Sequence, residues 1–83
     1  MSARPLHVRF FAILREQAGC SICDASSAAS DANQLYAELQ QRFPGLVFPV
    51  HLLRVSINER YAPMDTALHA GDRVVFIPPI AGG

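Results

Sequence analysis

DANQLYAELQQRFPG, residues 31–45, is the stretch that reads as a full amphipathic helix in this 83-residue sequence, and its place among short strands decides the fold. Asp31 has the type and position of an N-cap. Gln34, three residues on, completes the pattern of a capping box, in which two side chains satisfy free backbone N–H groups of the first turn. Leu35, Leu39 and Phe43 recur every four residues, with Ala32 and Tyr36 beside them. They form one apolar stripe on a helix of about three turns. Pro44-Gly45 ends it, since proline cannot continue a helix and glycine is a common stop.

Upstream of the helix, residues 6–12 alternate as a half-buried strand, with Leu6, Val8, Phe10 and Ala12 on one face and His7, Arg9 and Phe11 on the other. Phe11 is the misfit, an aromatic on the polar face. Ile13 to Ala18 makes a short helical turn closed by Gly19. Cys20 to Ala25 is a weaker strand that returns beside the first, and Ser26 to Ser30 is a loop. Downstream, Leu46 to Leu52 is an irregular crossover containing Pro49. Leu53, Val55 and Ile57 face inward on a strand, with Arg54 and Ser56 outward. Asn58-Glu59 turns the chain into a short strand, Arg60 to Ala62. Pro63 to Leu68 reads as a tight helical turn, Ala70-Gly71-Asp72 as a turn, and Arg73 to Pro78 as the last strand.

The order is strand, strand, helix, strand, short strand, strand. One helix covers one face of such a sheet and leaves the other to solvent or a partner. This is the α+β arrangement called the β-grasp, or ubiquitin-like roll: a mixed sheet with one main helix packed on one face. Placing the apolar first and last strands side by side in parallel at the sheet centre suits their composition.

Length and composition narrow the function. A chain of 83 residues is one domain, 1–83, that buries only about 60–65% of its unfolded surface. That leaves little material for a deep pocket, so a self-contained enzyme does not fit. Seven basic and seven acidic side chains balance, which argues against nucleic acid and against an anionic membrane surface as partner. Every basic residue is arginine, a side chain suited to interfaces. Phe10 to Leu14 is too short for a signal peptide, and no stretch approaches a membrane span. The expected location is the cytoplasm, where Cys20 and Cys23 stay reduced.

No bound cofactor or metal is expected. Cys20-Ser21-Ile22-Cys23 has CxxC spacing, but there is no second pair for zinc and no four-cysteine set for an iron–sulfur cluster. His7, His51 and His69 show no ligand spacing, and Arg15-Glu16 is a local ion pair of little worth.

Two features remain. By alternation, the open sheet face carries His7, Arg9, Phe11, Arg54, Ser56, Arg73, Val75 and Ile77, with Tyr61 near its edge. An apolar patch rimmed by arginine is a docking surface. The second feature is the tail, Pro78-Pro79-Ile80-Ala81-Gly82-Gly83. The prolines stiffen its base. The glycines leave a flexible, slim strip of backbone ending in an α-carboxylate. Joined to AMP at the expense of ATP, that carboxylate gains a good leaving group. A sulfur nucleophile then makes a thiocarboxylate, and an amine makes an amide.

These residues resemble the MoaD family of sulfur carriers, the small subunits of molybdopterin synthase. The resemblance runs through Phe10-Phe11-Ala12-x-Leu14-Arg15-Glu16-x-Ala18-Gly19, Arg42-Phe43-Pro44-Gly45-Leu46 and Val55-x-Ile57-Asn58. It continues through Leu68-x-x-Gly71-Asp72-x-Val74-x-Phe76-Ile77-Pro78-Pro79-x-x-Gly82-Gly83. It implies a β-grasp fold and a terminal Gly83 adenylated by an ATP-dependent, E1-like adenylyltransferase. A persulfide sulfur donor then supplies the thiocarboxylate. The tail enters the large synthase subunit, where the active site is expected, and gives sulfur to a pterin precursor; a heterotetramer is the expected assembly. By position, Phe11, Tyr61 and Ile77 would form the partner interface, together with the tail. Cys20 and Cys23 are no part of the family's pattern. The alternatives are a carrier for thiazole or cysteine synthesis, a ubiquitin-like protein modifier joined to lysines of targets, and a plain interaction module.

Overall fold

In the computed structural model, which describes residues 3–79, the elements run β1 (Arg4–Phe10), α1 (Ile13–Ala18), β2 (Ile22–Ser27), α2 (Ala32–Arg42), a 3-10 turn at Val50–Leu52, β3 (Arg54–Ile57), β4 (Arg60–Ala62) and β5 (Arg73–Ile77). The sheet order is β2-β1-β5-β3-β4. β1 and β5 are parallel, and the remaining pairs are antiparallel. The first and last strands therefore lie together in the middle, as their apolar content requires. This is the expected β-grasp.

α2 covers one face of the sheet. Ala32, Leu35, Tyr36 and Leu39 are buried against Leu6, Val8, Phe10, Val55, Val74 and Phe76. Phe76 anchors the aromatic centre, with its ring centroid 5.3 Å from that of Tyr36 and 6.3 Å from that of Phe10. The Tyr36 hydroxyl donates to the Phe48 carbonyl at 2.9 Å, so its burial leaves no polar group stranded.

The helix begins as its sequence indicates, with one shift. Asp31 accepts a hydrogen bond from the Gln34 backbone N–H at 2.9 Å. The Gln34 side chain, however, accepts from the Ser30 N–H rather than from Asp31, whose backbone forms a bridge with Ala67. Gly45 serves a different purpose from a left-handed stop. A Cβ built on it would lie 2.6 Å from the Gln17 carbonyl oxygen, so glycine is what lets this loop close on α1. The Gln17 side-chain oxygen ties the same loop by accepting from the N–H groups of Val47 and Phe48, at 2.9 and 3.0 Å.

Several boundaries differ from the sequence expectation. β1 spans 4–10 rather than 6–12, because Ala12 takes φ 53°, ψ −126° and turns the chain out of the sheet. Pro5 is tolerated in β1, exposed on the strand opposite Ser26. β2 spans 22–27 rather than 20–25. Its last residue, Ser27, is buried, and its hydroxyl donates to Glu38 at 2.8 Å and accepts from the Ala29 N–H at 3.0 Å. The extension is held by Arg4, whose guanidinium donates to the carbonyls of Ser27, Ala29 and Leu68 at 2.7–2.8 Å. Residues 63–66 form a β-turn rather than a helical one, closed by the Thr66 N–H donating to the Pro63 carbonyl at 3.0 Å, and Ala67 then bridges to Asp31. Arg15 and Glu16 form no ion pair among the described residues, since adjacent helical side chains point apart.

Candidate functional site

The sheet face opposite α2 has no helix over it among the described residues. Strand register sets its side chains in transverse rows. Ile22, Arg9, Val75, Ser56 and Tyr61 lie across one line of the sheet. Asp24, His7 and Arg73 lie across the row two residues nearer the start of β1. Arg54 and Ile77 form the row on the other side. Alternation along β1 places each of these opposite the buried Leu6, Val8 and Phe10, as the period of two requires.

Of the expected interface residues, Phe11 and Ile77 meet at one end of this face, and Tyr61 lies two strands from Ile77 on the edge strand β4. Because β1 and β5 are parallel, their C-terminal ends coincide, and Phe11 lies just beyond β1 where Ile77 closes β5. Phe11 is 43% exposed, an aromatic left to solvent. Ile77 is half-buried, so it is a wall of the surface rather than a free projection. Tyr61, on the edge strand β4, is 79% exposed. It lines one concavity with Arg54, Pro63, Ile77 and Pro79.

The tail starts from this end. Pro78 is buried and belongs to the packed body, whereas Pro79 is exposed. Ile80, Ala81, Gly82 and Gly83, the residues on which the acyl chemistry is expected, lie outside the described residues.

Electrostatics separates this face from the rest of the molecule. His7 Nδ1 is 2.9 Å from an Asp24 carboxylate oxygen, and Arg73 donates to Glu59 at 2.9 Å. Arg9 and Arg54 are exposed and take part in no ion pair among the described residues. On the far side of the sheet, Cys23 is buried, and desolvation pushes its thiol pKa up despite the opposing charge of Arg42. A raised thiol pKa leaves less thiolate, so Cys23 is a packing residue and a poor nucleophile. Among the described residues no three His, Cys, Asp or Glu side chains converge as metal ligands. No helix among them is long and apolar enough to cross a membrane.

Three features of the site were hidden in the sequence. The strained Ala12 backbone beside Phe11 has no marker, since alanine is not a turn residue. The Gln17 clamp on the 45–48 loop joins residues about thirty positions apart. The burial of Pro78 depends on what packs beneath it.

A small mixed sheet gripping one helix, with an open face that runs into a proline-marked final strand, defines the ubiquitin-like β-grasp class. The profile of the ThiS family matches residues 8–83, and the chain belongs to that family. Two curated relatives bear the name molybdopterin synthase sulfur carrier subunit. The one from Haemophilus influenzae is 31% identical over 80 residues, covering 94% of this chain and 99% of the relative. The one from Mycobacterium tuberculosis is 39% identical over 54 residues; the match spans 65% of each protein, just under two thirds of the relative's length. Among solved structures, SAMP1 of Haloferax volcanii, a small archaeal modifier protein, is similar at a TM-score of 0.77 and 26% identity, covering 95% of this chain and 99% of that one. A protein–protein complex of subunits 1 and 2 of the molybdopterin-converting factor from Helicobacter pylori contains a chain similar at a TM-score of 0.64 and 26% identity, covering 95% of this chain and 99% of that one.

Proposed function

We propose that this chain is the sulfur carrier subunit of molybdopterin synthase and acts in the cytoplasm. The observation that carries the reading is the match to a relative of that name along 94% of the chain. The open face and the described part of the tail support it: Tyr61, Ile77 and Pro79 line one concavity at the base of the tail.

In this reading Gly83 is the reacting residue. An E1-like adenylyltransferase joins its carboxylate to AMP from ATP, releasing pyrophosphate. A persulfide donor attacks the acyl adenylate and expels AMP, leaving an acyl disulfide; a thiol then cleaves its S–S bond, ends as a disulfide itself, and frees the thiocarboxylate. The large synthase subunit binds the open face, receives Pro79 to Gly83 in its active site, and transfers the sulfur to a pterin precursor. The chain is thus the carried substrate and supplies no catalytic side chain. Tight packing at Pro78 gives the tail a fixed origin, which fixes how far its end reaches. Carriers for thiazole or cysteine synthesis are not favoured, because both curated relatives carry the molybdopterin name.

The test is intact mass after co-expression with an adenylyltransferase and a sulfur source. The chain should gain the difference of oxygen replaced by sulfur. The product, mixed with a matched large subunit, should convert the pterin precursor. Deleting Gly83 should abolish the mass gain. Adding one Ala after Gly83 should abolish transfer while leaving docking intact, since the carboxylate moves about 3.5 Å. Full activity of the extended chain would sink the tail mechanism.

A further inference from the structure

Two shallow sockets indent the open sheet face, and each contains one arginine that forms no ion pair among the described residues; the first is also lined by Glu59, which is held by Arg73. The first, about 330 Å³, lies between β2, β1 and β5 and holds Arg9 against Ile22 and Val75. The second, about 760 Å³, lies between β3, β4 and the base of the tail and holds Arg54 against Tyr61, Ile77 and Pro79. Two other pairs of the face are bound to each other: His7 Nδ1 lies 2.9 Å from an Asp24 carboxylate oxygen, and Arg73 donates to Glu59 at 2.9 Å.

Register gives the spacing of the two arginines. Arg9 is opposite Val75 and Arg54 is opposite Ile77, on the two strands that flank β5. Two strand-to-strand steps of about 4.8 Å and two residues along β5 put their Cα atoms about 12 Å apart. Half-buried Val75 and Ile77 lie between them. An unpaired guanidinium beside apolar walls is a site for a carboxylate, which it binds through two parallel hydrogen bonds.

We propose that the partner protein docks on this face through two acidic side chains about 12 Å apart, one entering the Arg9 socket and the other the Arg54 socket. Apolar side chains of the partner cover Val75 and Ile77 between them. The inference rests on the sulfur-carrier reading only in the choice of partner, the large synthase subunit.

The experiment measures the dissociation constant of the matched large subunit for the full chain and three charge reversals, with circular dichroism confirming that each is folded. Arg9→Glu and Arg54→Glu should each weaken binding about tenfold or more, since like charges then face each other across the interface. Arg42→Glu, on the opposite side of the sheet, should stay near wild type. Rising ionic strength should weaken wild-type binding and strengthen that of an Arg9→Glu/Arg54→Glu double variant, whose like-charge repulsion salt screens. Wild-type binding with no loss in either socket variant would overturn the two-carboxylate docking and leave the carrier reading standing. An equal loss in Arg42→Glu would overturn it as well, by reducing the effect to overall charge. A wild-type chain that fails to bind the large subunit would remove both readings. Sedimentation of the chain alone supplies the last check: a dimer that Arg9→Glu dissociates would assign the face to a second copy of this chain instead.

Discussion

Replacing Ala12 by glycine should stabilise the protein, the reverse of what this substitution does at ordinary positions. Ala12 sits at φ 53°, ψ −126°, a conformation that suits glycine and crowds a Cβ against the backbone. Holding a non-glycine residue in such a region costs of order 1–3 kcal/mol. Glycine removes that strain but gives the unfolded chain more freedom, which takes back about 0.4–1 kcal/mol. Ala12 is exposed, so little apolar burial is lost. The net gain is about 0.5–2 kcal/mol. With a urea m-value of about 1 kcal/mol/M for a small domain, the midpoint should rise by roughly 0.5–2 M at unchanged m. The Ala12 carbonyl accepts from the Arg15 and Glu16 N–H groups, and the Phe11 carbonyl accepts from the Leu14 N–H, so the same residue starts α1 and aims Phe11. A midpoint that falls, as for an unstrained alanine, would refute the strain argument.

Three further outcomes follow from the packing. Gly45→Ala should destabilise by about 1–3 kcal/mol, because its Cβ would meet the Gln17 carbonyl oxygen at 2.6 Å and backbone must move; an unchanged melting temperature would show the loop to be loosely held. Arg4→Lys should cost about 1–3 kcal/mol, since a single ammonium nitrogen cannot reproduce the planar fork that serves three carbonyls; chemical denaturation of the pair reads the difference. Burial raises the Cys23 thiol pKa, so above the unfolded thiol value of about 8.5 the native state holds a proton that the unfolded chain releases. Stability from this source is therefore full below that pH and is lost as pH rises through the folded value. Urea midpoints measured from neutral to alkaline pH should decline less steeply in Cys23→Ala; parallel declines would reject the assignment.

Periodicity alone determined most of the architecture. The four-residue recurrence of Leu35, Leu39 and Phe43 and the alternation of Leu6 to Phe10 are local patterns, imposed by helix and strand geometry, so they are visible without a fold. One helix among several strands then leaves one sheet face open, and the alternation already places Arg9, Arg54, Val75 and Ile77 there. Gly82-Gly83, on which the proposed acyl chemistry rests, is likewise read from the sequence alone. Tertiary structure decided what depends on residues far apart in the chain. Arg4 reaches Leu68, Gln17 closes on Val47 and Phe48, and Gly45 is glycine because Gln17 is there. The ends of β1 and β2 shifted because an arginine clamp and a strained alanine outweigh local propensity. Most of all, His7 lies against Asp24 and Arg73 pairs with Glu59, whereas Arg9 and Arg54 form no ion pair among the described residues. A sequence shows seven arginines against seven acids; only the register of the strands shows which two on the open face form no ion pair among the described residues, because ion pairs form across strands rather than along them.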